Sequence, residues 1–327
     1  MAVSARRIHC LGQDVYEDGT SYTNASNIIS CGSLDSTADV FCLGALTVQS
    51  NDKADDSLDN SLDARNGGIR AQGKVIIEKA TVNSSRLLAK DDITVSNTLL
   101  FATTYRDSED GSINSIQSES GDVSLENSWV FTGMLIAGGN VSITGSGSRV
   151  WGDQQVYAQS DLTVTDCGYT NANDIRLGYE SGGFNGINCS SLTVSNSRVE
   201  TASISARESM NICRGSDVAV TSGGEMAAVL LGGAGGISGS AVTVSGLEDC
   251  EVGIWGSQAL TIDNSSVSVD GSNPSAAIYV WGSESDSGLV LVNSAVSSPA
   301  GFSVRKYPPI FDEETFCWVI ATGTNPM

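Results

Sequence analysis

The segment Ser191 to Asn211, SLTVSNSRVETASISARESMN, returns to its own beginning after eighteen residues. An alternating strand (Leu192-Thr193-Val194) meets an Asn196-Ser197 turn, a second alternating run passes through Ile204 and Ala206, and the next strand opens at Met210. A repeat this short dictates the architecture before any single element is assigned, because each unit must bury its apolar face against its neighbours.

Taking the first apolar residue of each such strand as an anchor gives Leu46, Val75, Ile93, Val123, Val141, Leu162, Leu192, Met210, Val242, Leu260 and Leu289. Steps of 18 to 21 residues alternate in most places with steps of 29 to 32. Two further columns keep phase. Four residues after the anchor stand Asn97, Asn127, Asn196, Asn264 and Asn293, with Asp166, Gly145 and Gly246 in the same place. Asn, Asp and Gly tolerate a left-handed bend, so this column reads as a stacked corner. About six residues before the anchor comes an apolar-variable-small triplet, as in Ile69-Arg70-Ala71, Leu87-Leu88-Ala89, Val156-Tyr157-Ala158 and Ile254-Trp255-Gly256. Its small third residue suits a narrow interior.

Short alternating strands separated by Asn, Gly and Ser corners, with no helical periodicity between them, specify an all-β fold: a single-stranded right-handed parallel β-helix of about 10–11 coils of 18–32 residues. A β-propeller blade needs ~40–50 residues, which an 18-residue step does not supply. The expected organisation is a worn coil or cap over 1–45, the β-helix over 46–298, and a cap or the start of a further segment over 299–327. Within the helix, loops at 51–65 and 106–110 and a Gly-rich stretch at 223–239 read as insertions.

The chain has 17 Lys and Arg against 38 Asp and Glu, a formal net charge of −21. That field repels nucleic acid and anionic membrane surface, and favours divalent cations. The eight cysteines form no CxxC pair; Cys189 falls in the small inward column, and Cys10, Cys31 and Cys42 are open to a disulfide. The opening MAVSARRIHCLGQ has two arginines without an apolar run behind them, which is not a signal-peptide pattern. Because the repeat is entered and left without polar capping units, the expectation is a piece of a longer exported protein.

No catalytic residue is assigned. The single histidine, His9, lies outside the repeat, and the outward positions of the anchor strands hold Ile76, Thr94, Ser124, Ser142, Thr163, Thr193, Asn211, Thr243 and Thr261 rather than the clustered carboxylates of a glycoside-cleaving site. Arg70, Arg149, Arg176, Arg198 and Arg207 are scattered singly, as solvated surface residues are. Asp52, Asp55, Asp56, Asp59 and Asp63 gather carboxylates in one short loop, the donor type calcium favours, but without EF-hand spacing; a solvated acidic loop is the competing account. Aromatics offer the better-motivated ligand site. Tyr157, Trp255 and Tyr279 occupy the outward position of the triplet, with Trp281 two residues on, and such rings pack on the C–H face of a pyranose.

The repeated units, as in ISARESMNI and VYAQSDLTVTD, resemble those of bacterial cell-surface right-handed β-helix proteins of the carbohydrate-binding-domain type, within the pectate-lyase-like superfamily. The likeness covers roughly residues 67–298. It implies a non-catalytic, exported protein of the bacterial cell surface that binds carbohydrate, including acidic polysaccharide, with calcium as the cofactor expected, or that acts as an adhesin. A structural stalk and a polysaccharide lyase or hydrolase are the alternatives, since this fold serves all three.

Overall fold

The computed structural model describes residues 40–49, 60–103, 115–168, 175–179, 186–221, 227–246, 252–270, 276–280 and 288–298, together with short strands at 3–5, 8–11, 14–16, 28–30, 34–36, 304–306, 310–312 and 317–319. The chain is all-β, a parallel β-helix built of stacked coils. It divides into two compact units, 1–160 and 161–327.

Each coil contributes to three parallel ladders. In the first unit the anchor ladder runs Leu46, Val75, Ile93, Val123, Val141, in register residue for residue. A middle ladder, entered after the Asn corner, runs Leu62, Val82, Leu100, Val130, Val150. The triplet ladder runs Val40, Ile69, Leu87, Ile116, Leu135, Val156. Every one of these side chains is buried, so alternate residues of each strand point into one thin core. Ahead of Leu46, Ile28 pairs in parallel with Leu46 and Leu34 with Leu62, so the ladders extend into the first 45 residues.

In the second unit the anchor ladder is Leu162, Leu192, Met210, Gly235, Leu260, Leu289. The residue at the fourth rung corrects the sequence expectation. Val242 belongs to the middle ladder, between Val218 and Val267, and Gly246 is not the corner of that coil. Residues 227–239 are not an insertion but the triplet and anchor strands of a coil, Ala227–Leu231 and Ala234–Ser238. The physical reason is local: a Cβ at Gly235 would collide with the Leu231 and Leu260 side chains, which fill the place an anchor side chain takes elsewhere. The coil length there is 25 residues, as the Ser240 to Ser265 rung also shows.

The corner after the anchor strand is set by backbone conformation. Asn97, Asn127, Asp166, Asn196, Asn264 and Asn293 all have φ between 45° and 58°, and Gly145 has φ 94°. Lys79 and Arg214 take the same bend at φ 50° and 57°, although neither type favours it. Immediately beyond, a column of small polar side chains turns inward. In the second unit the backbone N–H groups of Cys167, Ser197, Ser216, Ser240 and Ser265 donate to the hydroxyls of Ser197, Ser216, Ser240, Ser265 and Ser294 on the next coil, at 3.1–3.3 Å. Those hydroxyls donate in turn to carbonyls two or three residues back in their own coil, at 2.6–2.8 Å. Thr98 and Ser128 make the same link in the first unit. The ladder satisfies polar groups that the corner brings into the dry interior.

The turn from triplet to anchor strand uses carboxylates instead. Asp92 Oδ1 accepts from Asp122 N at 2.9 Å, and Asp122 Oδ1 from Asn140 N at 2.7 Å. Beyond the last anchor strand, Val304–Lys306 adds one strand to the triplet ladder and Ile310–Asp312 pairs antiparallel with Cys317–Val319.

Candidate functional site

With the interior occupied by stacking, chemistry is confined to the outward positions of the three ladders. On the anchor ladder these are Thr47, Ile76, Thr94, Ser124 and Ser142 in the first unit. In the second they are Thr163, Thr193, Asn211, Gly236, Thr261 and Val290; Gly236 stands here in place of the expected Thr243, which faces out from the middle ladder. No carboxylate occupies this first outward position, but two residues on, the second outward position holds Glu78 and Glu126 on either side of Ser96, and Asp263 in the second unit.

The outward column of the triplet ladder in the second unit is Ser205, Leu230, Trp255, Tyr279. Trp255 and Tyr279 meet edge to face with ring centroids 5.1 Å apart, and Leu230 beside them is 42% exposed. The structure thus brings together two of the four aromatics singled out from sequence. Tyr157 belongs to the first unit, in register with Ile136, and its hydroxyl hydrogen-bonds Gln159 Oε1. Trp281 lies outside the described residues.

A second aromatic column, not singled out from sequence, lines the middle ladder of the first unit. Phe101, Phe131 and Trp151 face outward in register. The phenyl rings stack at 4.9 Å and 10°, and Phe131 meets Trp151 edge-on at 5.0 Å. Beside Phe131, Trp129 is 43% exposed, with the Arg149 guanidinium 4.2 Å above its ring. A signal for this column exists: Phe101 and Phe131 each stand eight residues after their anchors, Ile93 and Val123. Trp151 is displaced to ten by the longer corner 145–148, which hides the period.

Four of the five arginines expected to be merely solvated have partners. Besides Arg149, Arg176 Nε lies 3.1 Å from Glu200 Oε2, Arg198 Nε 3.4 Å from Asp217 Oδ2, and Arg207 donates to Ser190 Oγ at 3.3 Å. Arg70 lines a depression of about 290 Å³ on the triplet ladder of the first unit, with Gln72, Leu88, Lys90, Gln117 and Glu119.

Among the proposed metal ligands, Asp52, Asp55, Asp56 and Asp59 lie outside the described residues. Asp63 sits in the strand Asn60–Ala71, where its backbone pairs with Asp35 and Asn83. Among the described residues no cluster of three His, Cys, Asp or Glu side chains forms. Cys189 is buried in the inward column as expected, and burial pushes its thiol up to about 12, so it is not a nucleophile at neutral pH. Cys42 is buried, and its Sγ lies 3.3 Å from Ala45 O.

No family model, curated protein or solved structure matches this chain.

Proposed function

We propose that this chain is a non-catalytic, exported bacterial surface protein whose β-helix binds carbohydrate on outward aromatic faces. The observation that carries the reading is the register of those rings. Trp255 with Tyr279 and Leu230, and Phe101 with Phe131, Trp151 and the neighbouring Trp129, form columns in which successive rings follow the rung spacing of about 4.8 Å. A rigid column of half-buried rings offers apolar area already held in one conformation, so little ordering entropy opposes the docking of a sugar face.

Glu78 and Glu126 face outward two rungs apart with Ser96 between them, so what separates holding a glycan from cleaving it is retention without released sugar, cleavage needing an acid and a base or nucleophile that flank the glycosidic oxygen. The strongly acidic composition argues against nucleic acid as the partner. Calcium enters through the acidic segment at 52–63, whose carboxylates are of the right donor type.

The test is depletion of the protein by a panel of insoluble polysaccharides, with calcium and then with chelator, assaying the supernatant for protein and released sugar. Retention without released sugar is expected, with at least a tenfold loss of affinity in the Trp255→Ala, Tyr279→Ala double variant. Unsaturated uronate absorbing in the ultraviolet would make the protein a lyase. No retention on any polysaccharide would leave a structural stalk as the better account.

A further inference from the structure

The last anchor strand, Leu289–Val292, differs from the others in what it shows to solvent. From Leu46 to Ile262 the inward side chains of the anchor strands are at most 2% exposed, whereas Leu291 is 40% exposed at the equivalent place. Its outward residues are apolar too, Val290 at 47% and Val292 at 42%, where every earlier anchor strand carries at least one polar residue. A strand apolar on both faces has the composition of one that is covered on both. Leu289–Val292 pairs with Leu260–Asp263, and among the described residues no strand takes its other edge. The backbone groups left at that edge are specific. In the coils beneath, the N–H of each anchor donates to the carbonyl just before the next anchor, as Val123 N to Asn140 O, Gly235 N to Ala259 O and Leu260 N to Gly288 O, each at 2.8 Å. The N–H groups of Leu289 and Leu291 face the open edge in the same way.

We propose that this edge is the docking site of the chain's own segment Ile310–Asp312, which brings the strand Cys317–Val319 with it. The phase of the sequence carries the assignment. The last residue of a triplet stands four before the next anchor in Ala71 and Val75, Ala89 and Ile93, Ala158 and Leu162, and Gly256 and Leu260. Lys306 pairs with Val280 and so ends the final triplet strand, and four residues on stands Ile310. Ile310–Asp312 pairs antiparallel with Cys317–Val319 along one edge, and among the described residues its other edge is untaken. Laid parallel on Leu289–Val292, it sets Ile310 opposite Leu289, Phe311 opposite Val290 and Asp312 opposite Leu291. Pro309 then occupies the place of Asn140, Ala259 and Gly288, where the ladder asks for a carbonyl, and proline keeps its carbonyl while lacking an N–H. Asp312 falls at an inward position, and a carboxylate there stops a further coil from stacking. The proposal gives the expected cap its residues and is independent of the carbohydrate reading.

The experiment is residue-resolved amide hydrogen exchange on the whole chain at two protein concentrations. Leu289 and Leu291 are expected to exchange about a hundredfold more slowly than open amides at both concentrations, as paired strands do. In Phe311→Pro, which withdraws the N–H that faces Leu289 O, both should lose this protection while Leu260 and Ile262 keep theirs. A chain ending at Lys306 should lose it in the same way, and answers the question should proline disturb the hairpin itself. Unprotected Leu289 and Leu291 in the intact chain overturn the proposal, as does protection that survives the truncation. Protection that rises with protein concentration also overturns it, because the occupant is then a second copy of the chain.

Discussion

The middle ladder does the same structural task in both units and presents two different surfaces. Inward, the first unit stacks Val82, Leu100, Val130 and Val150, and the second stacks Val199, Val218, Val242 and Val267, all buried. Outward, one column reads Phe101, Phe131, Trp151, and the corresponding column reads Glu200, Ala219, Thr243, Ser268. Strand pairing and inward stacking therefore fix half of each strand and leave the other half free. A parallel ladder needs no particular outward side chain, so an aromatic column there is left to serve cross-strand stacking, a ligand, or both.

Three substitutions sharpen or break that contrast. Leu100→Ala is expected to destabilise the protein by about 2–5 kcal/mol, the cost of a cavity in a well-packed core. A loss under 1 kcal/mol in urea unfolding would mean that the inward column is not what holds the coils together. Phe131→Ala should cost less. Its ring meets two neighbours, and each aromatic pair contributes about 0.5–1.5 kcal/mol beyond its buried area. If Phe131→Ala left stability within a few tenths of wild type but abolished glycan retention, the outward column would be functional without being structural. Smallest is Arg198→Ala in the second unit. Both members of the Arg198–Asp217 pair are nearly half exposed, and solvent screening holds its worth to about 0–1 kcal/mol. A thermal melt should barely move, and less in high salt than in low.

The parts of the fold that were legible in the sequence are those where the backbone restricts residue type. Asn97, Asn127, Asn196, Asn264 and Asn293 stand out because few side chains accept a positive φ, and the alternating anchor strands because inward positions must be apolar. Lys79 and Arg214 adopt the same bend without announcing it. Gly235 was illegible as an anchor because neighbouring leucines supply the side-chain volume it lacks, and the sequence Ala241-Val242-Thr243-Val244 imitates an anchor strand on a different ladder. The serine column was visible only as half of an Asn-Ser turn, since a hydroxyl reaching to the next coil leaves no trace in local pattern. Trp255 and Tyr279 were legible because each stands at the centre of an apolar-variable-small triplet, directly after the inward Ile254 and Ile278. Phe101, Phe131 and Trp151 escaped because a corner two residues longer shifts the last of them out of phase.

The serine rungs have a consequence for how such a chain changes over time. Each hydroxyl joins one coil to the next through the same few atoms whether the step is 19, 25 or 30 residues, so the lattice is indifferent to the length of chain between rungs. Much of the added length falls between the middle and triplet strands, as from Ala102 to Ser115, where no rung depends on it. A gene encoding this protein can gain or lose a whole coil, or enlarge one connection, and still meet every hydroxyl of the column at its place.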